Sequence, residues 1–159
     1  MTGPRAAVVG VGNRYRRDDG VGLAAVEALR GSPPGGVRLA CVDGEPTRLL
    51  DAWDGVPLAV VVDAALCRPA HPGTVHRAVV AAGALDAAQA AGAASSHGLG
   101  LPEAVELGRI LERLPDRLVL LTVEAADVGL GDGLTPAVAA ALPEVVAAIR
   151  RELASAATP

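Results

Sequence analysis

Residues 58–62, Leu58-Ala59-Val60-Val61-Val62, are apolar at every position. A strand with one wet face alternates apolar and polar side chains, so a short run like this one must bury both faces. That is the situation of a central parallel strand covered by helices on each side. Apolar runs of strand length recur at Ala6–Val9, Val37–Val42, Thr74–Val80 and Leu118–Val123, which makes five strands in all. Helical patterns fall between them. One starts at the Asp18-Asp19 pair and runs to Leu29, where Gly31 and Pro33-Pro34 stop it. A short one covers Pro46 to Trp53. A third carries Pro102 in its first turn, with Leu107, Ile110, Leu111 and Leu114 as its apolar stripe. The last has Thr135 as N-cap and Pro136 at its first position, with a stripe of Val138, Leu142, Val145, Ile149 and Leu153 and a kink expected at Pro143. This β-α-β-α-β order, with one strand inserted, predicts a doubly wound α/β domain. Residues 1–154 form that single domain, and 155–159 are expected to be a frayed tail.

Size and composition agree. At 159 residues and 15.8 kDa, folding buries roughly 68% of the extended chain's surface, enough for one ordinary core. A net charge of −4 with 1% aromatic residues supplies neither the basic field nor the stacking platforms that nucleic-acid binding needs. All fourteen basic residues are arginine. Schiff-base, pyridoxal and P-loop chemistry, each dependent on a lysine amine, are therefore excluded. Cys41 and Cys67 sit in or beside apolar runs and are expected to be reduced thiols in the core, too few for a disulfide framework. No stretch is both long and apolar enough to span a bilayer, and no apolar signal core precedes the first strand. A cytoplasmic monomer is the expectation.

In open α/β sheets, ligands sit beyond the carboxyl ends of the strands. That rule selects Asn13 to Asp19 after strand one, Asp43 after strand two and Asp63 at the end of strand three. It also selects His97, in the long Gly- and Ala-rich segment 81–100. Gly10-Val11-Gly12-Asn13-Arg14-Tyr15 superficially suggests a dinucleotide fingerprint, but Tyr15 replaces its third glycine. The helix that follows opens on two carboxylates, which repel a pyrophosphate. One helix N-cap accounts for one aspartate of the Asp18-Asp19 pair and leaves the other for chemistry. Ser95 and Ser96 adjoin His97 without a Gly-x-Ser-x-Gly elbow, which disfavours a serine hydrolase. His71 and His76 are weaker candidates, in a Pro-flanked turn and an alternating strand. Asp19, Asp63 and His97 project from one end of the sheet, where two carboxylates and one imidazole suit an open nickel or zinc site. A non-catalytic nucleotide- or metal-binding module remains the alternative.

Gly10-Val11-Gly12-Asn13, four residues, then Asp18-Asp19-Gly20-Val21-Gly22 resembles the signature of the hydrogenase maturation proteases. The similarity continues in family order through Val42-Asp43-Gly44, Val62-Asp63-Ala64, Ser96-His97-Gly98-Leu99 and Gly133-Leu134-Thr135-Pro136. The resemblance implies a three-layer, phosphorylase/hydrolase-like fold with a twisted, mostly parallel five-stranded sheet between helices. It implies an endopeptidase that trims the C-terminus of the nickel–iron hydrogenase large-subunit precursor after nickel insertion. It also implies that Asp19, Asp63 and His97 hold nickel that the substrate brings, with no tightly held metal of the protease's own. Two departures stand out. Glu45 replaces a second glycine after Gly44, which puts the shape of that loop and the role of Asp43 in question. Val123-Glu124-Ala125 lacks the flanking glycine and proline, and Glu124 inherits no role.

Overall fold

A computed structural model of the chain describes residues 3–80, 94–95 and 100–157. Six strands are present: β1 (Ala6–Val11), β2 (Val37–Val42), β3 (Leu58–Leu66), β4 (Val75–Val80), β5 (Ala94–Ser95) and β6 (Arg117–Glu124). Four helices are described: α1 (Val21–Arg30), α2 (Pro46–Trp53), α3 (Gly100–Ile110) and α4 (Pro136–Ala157). The sheet order is β2-β1-β3-β6-β4, with β5 attached to the end of β3. The strands β2, β1, β3 and β6 are parallel to their neighbours, and β4 closes the β6 edge antiparallel.

The run 58–62 behaves as its composition demands. Leu58, Val60 and Val62 pack with Val8 under α1 and α4, against Val21, Val26, Leu29, Val145 and Ile149. Ala59 and Val61 face the other way with Ala7 and Val9, against Leu49, Leu50 and Trp53 of α2 and Leu101 and Val105 of α3. Two-residue alternation within a strand thus feeds two separate cores, giving helix, sheet and helix layers.

Several boundaries differ from expectation. Strand β3 continues four residues past Val62, so Asp63 lies inside it, opposite Thr122, rather than ending it. Pairing with β5 at Ala65 and Leu66 extends the strand. Helix α3 buries Leu101, Ala104, Val105 and Gly108, while Ile110 and Leu111 are exposed. Gly108 on this buried face admits the Leu50 and Leu114 side chains close to the helix axis. Helix α4 runs through Pro143 without a break and continues to Ala157, past the expected end. Pro143 and Ala139, the residue whose carbonyl a proline at 143 leaves without its helical donor, both lie on the exposed face. Both cysteines are free, as expected, but neither is a core residue. Cys41 is exposed and Cys67 half-buried, because β2 is a sheet edge and Cys67 follows the end of β3.

Candidate active site at the carboxyl end of the sheet

The chain leaves β1 through Gly12 and Asn13, forms a tight loop, and enters a 3-10 turn at Arg17–Gly20 before α1. Three glycines bring this turn onto the sheet. A Cβ on Gly12 would lie 1.9 Å from the Asp19 carbonyl oxygen, one on Gly10 2.3 Å from the Gly22 carbonyl oxygen, and one on Gly22 2.3 Å from the Val62 carbonyl oxygen. The glycines that imitate a dinucleotide fingerprint therefore permit backbone-to-backbone packing. Through Gly22 the start of α1 rests on the residue just before Asp63.

Asp18 and Asp19 separate cleanly in role, and neither is a helix N-cap. The turn is preceded by Arg16, α1 by Gly20, and neither cap has a side-chain hydrogen bond. Asp18 is fully buried. Its Oδ2 accepts from the amides of Ala126 and Asp127 at 2.8 and 3.1 Å, and its Oδ1 from the Thr135 amide at 2.7 Å. The Thr135 hydroxyl donates to the same carboxylate. One aspartate thus ties the first loop to the segment after β6 and to the N-terminus of α4, where a negative charge is favoured. Backbone bonds from Arg17 to Gly131 and from Gly131 to Tyr15 reinforce the tie.

Asp19 is buried, and its Oδ2 accepts from the Asn13 amide at 2.9 Å. Asp63 is equally buried, and its Oδ1 accepts from the Ala64 amide at 2.8 Å. Each carboxylate thus has one oxygen set by a neighbouring amide. Asp19, in the turn that packs on the end of β1 through Gly12, and Asp63, in the last half of β3, both lie toward the carboxyl end of the parallel strands. His97 and Ser96 lie outside the described residues. Ser95, two positions earlier, pairs with Ala65, two positions after Asp63.

The remaining candidates fall elsewhere. Asp43 is exposed, and its Oδ1 accepts from the Glu45 amide in a turn. Gly44 supplies the positive φ of 96° that the loop needs. Glu45 is extended and caps α2, accepting from the Thr47 and Arg48 amides. Of the two positions, only Gly44 needs the left-handed region, and Glu45 adopts an ordinary extended conformation. The Thr47 hydroxyl and these amides hold the Glu45 carboxyl below its usual range. His71 and His76 both meet Glu124: the His71 amide donates to Oε1 at 2.8 Å, and His76 Nε2 lies 2.7 Å from Oε2. These two partners hold the buried Glu124 carboxyl below the ordinary glutamate range. Sequence reasoning missed both Asp18 as a brace and Glu124 as a buried acceptor. An apolar strand ending in a carboxylate was the available signal for Glu124.

The family model described as hydrogenase maturation protease matches residues 31–152. The chain belongs to the hydrogenase maturation protease family. The hydrogenase maturating endopeptidase HybD from E. coli is 30% identical over 93% of each chain, with a TM-score of 0.72. Two structures from Thermococcus kodakarensis, each 24% identical, share the fold. The [NiFe] hydrogenase maturation protease HybD covers 92% of this chain and 97% of its own, with a TM-score of 0.77. The maturation protease HycI covers 91% and 89%, with a TM-score of 0.64. Comparison with curated proteins yields no match. The matched range of the family model contains Asp63 and His97, while Asp18 and Asp19 precede it. For this protease the three-layer fold and the endopeptidase class expected from the sequence are both upheld.

Proposed function

We propose that this protease removes the C-terminal peptide of a nickel–iron hydrogenase large-subunit precursor once nickel has been inserted. The nickel is part of the substrate, and Asp19, Asp63 and His97 are its three ligands on the enzyme. The observation that supports this reading is the burial of two carboxylates, Asp19 and Asp63, on segments that lie toward the carboxyl end of the parallel strands. The donor set fits the ion: two carboxylates and an imidazole are ordinary ligands for a borderline divalent metal. Packing of α1 on Val62 supports a rigid spacing between the carboxylates, and the Asn13 and Ala64 amides fix how each is presented.

Bound nickel polarises the scissile carbonyl or the attacking water. The carboxylates of Asp19 and Asp63 orient the ion, and one of them accepts the proton of the water as it adds to the carbonyl carbon. The carbon–nitrogen bond then breaks and the proton passes to the leaving amine. The exposed Cys41 and half-buried Cys67 lie outside this pair, so hydrolysis proceeds without an acyl-enzyme. The enzyme acts as a monomer in the cytoplasm. Among the described residues no helix is long and apolar enough to cross a membrane.

Cleavage of nickel-loaded precursor tests the assignment. Asp63→Asn is expected to fold and to lose cleavage by at least about a hundredfold, as for the loss of a metal ligand or its support. A Cys41→Ala, Cys67→Ala double variant is expected to cleave at the wild-type rate. An active Asp63→Asn enzyme, or an inactive double variant with native circular dichroism, contradicts the mechanism.

A further inference from the structure

The ends of β3, β4 and β6 bring together three side chains that the processing site does not use. Cys67 follows β3, His76 is the second residue of β4, and Glu124 closes β6. The sheet register accounts for their meeting. Glu124 lies opposite Ala65 across the β3–β6 pair, and His76 lies opposite Thr122, two residues before Glu124 and on the same face of β6. One donor atom from each residue, a sulfur, a ring nitrogen and a carboxylate oxygen, lies within 4.8 Å of the other two. Glu124 is 4% exposed, and its carboxylate is positioned by the His71 amide on one oxygen and by His76 on the other. The Cys67 sulfur lies within 4.8 Å of the same carboxylate.

A buried carboxylate beside an imidazole and a thiol offers three donors that bind divalent metals, the thiol giving up its proton on binding. Thiolate, imidazole and carboxylate together suit zinc and similar divalent ions, while magnesium and calcium prefer all-oxygen sites. In a tetrahedral zinc site, bonds of about 2.0–2.3 Å set the donors roughly 3.3–3.6 Å apart. The 2.7 Å His76–Glu124 spacing and the 4.8 Å outer limit straddle that range, so small side-chain rotations reach it. His76 is half-exposed and Cys67 partly so, which turns the fourth position toward solvent.

We propose that Cys67, His76 and Glu124 form a second metal site, taking a zinc-class divalent ion with one solvent-facing position. The bound ion ties the end of β3 to the β4–β6 pair. Cys67 stands four residues beyond Asp63, about 13 Å along an extended strand, so the two sites are separate.

Cobalt titration of the full-length, chelator-treated protein under reducing conditions tests the site, because thiolate-bound cobalt has a near-ultraviolet charge-transfer band that carboxylate and imidazole ligands lack. One equivalent is expected to produce that band with the visible bands of tetrahedral cobalt, and zinc is expected to erase both. Cys67→Ser should abolish the charge-transfer band, and His76→Ala should weaken binding at least tenfold. Cys41→Ala should change nothing, nor should Asp19→Asn, which separates this site from the processing reading. Zinc at a hundredfold excess over its dissociation constant should raise the unfolding midpoint by about 5–10 °C in wild type and not in Cys67→Ser. No thiolate band in the wild type, a band that survives Cys67→Ser, or one that vanishes in Cys41→Ala overturns the proposal.

Discussion

Two adjacent aspartates with the same sequence context do different work, and burial alone does not distinguish them. Both are closed to solvent. Asp18 receives amides from three residues of a distant segment, whereas Asp19 accepts from the nearby Asn13 amide. The sequence identified the pair as one structural and one chemical residue, but attached the structural role to helix capping. The partners of Asp18 lie more than a hundred residues away, beyond any local capping pattern. A contrast between the two positions follows. Asp18→Asn places an NH2 among N–H donors and is expected to cost about 2–4 kcal/mol in urea unfolding. Asp19→Asn keeps an oxygen for Asn13 and is expected to fold, yet to abolish cleavage. Asp19→Glu restores the charge and should retain intermediate activity. An Asp18→Asn protein as stable as wild type, or an active Asp19→Asn enzyme, would contradict the division.

At the level of elements, the positions that hold the site corner are glycines, and their surroundings decide what they tolerate. Both Gly22 of α1 and Gly108 of α3 lie inside helices, where alanine is intrinsically better by about 1 kcal/mol. At Gly22 a methyl group would meet backbone atoms of Val62 and Val11. At Gly108 it would meet the ends of the Leu114 and Leu50 side chains, which can turn aside. Gly22→Ala is therefore expected to destabilise by about 3 kcal/mol, and Gly108→Ala to change stability by less than about 1 kcal/mol. Denaturant midpoints measure both, and an equal response would refute the packing argument. The Glu45 cap gives a pH test. Its carboxyl is lowered by the Thr47 hydroxyl, then by the Thr47 and Arg48 amides, against smaller opposition from Asp43. The unfolded chain then binds the proton more readily, so the stabilisation is present above the unfolded value near 4.3 and fades as pH falls through the lower folded value. The stability gap between wild type and Glu45→Gln should be constant above about pH 5.5 and shrink below about pH 4. A gap independent of pH would mean that the charge has no part in the cap. Element types were legible from periodicity, but the face of α3 was not. Leu107 and Leu114 of the expected stripe do pack on the core, but Ile110 and Leu111 face solvent and the buried side also carries the small residues Ala104 and Gly108.

For the molecule as a whole, the apolar run at Leu58–Val62 and the alternation of strands with helices were enough to read a layered α/β fold with its site at the carboxyl end of the sheet. Strand order was not legible, because nothing local in Val75–Val80 states that it pairs antiparallel with β6. That insertion brings His76 onto Glu124 and creates the Cys67 cluster, so those residues looked unremarkable in the linear chain. Asp63 was legible through the carboxyl-end rule, although it lies within β3 and not after it. The same topology places the segments of Asp19 and Asp63, far apart in sequence, toward one end of the sheet, and the proposed site rests on their joining there. Cleavage of matched nickel-loaded and nickel-free large-subunit precursors by the purified protease tests this most directly. Rapid release of the C-terminal peptide from the loaded precursor alone is expected, and equal cleavage of both would contradict recognition of the substrate's nickel by Asp19, Asp63 and His97.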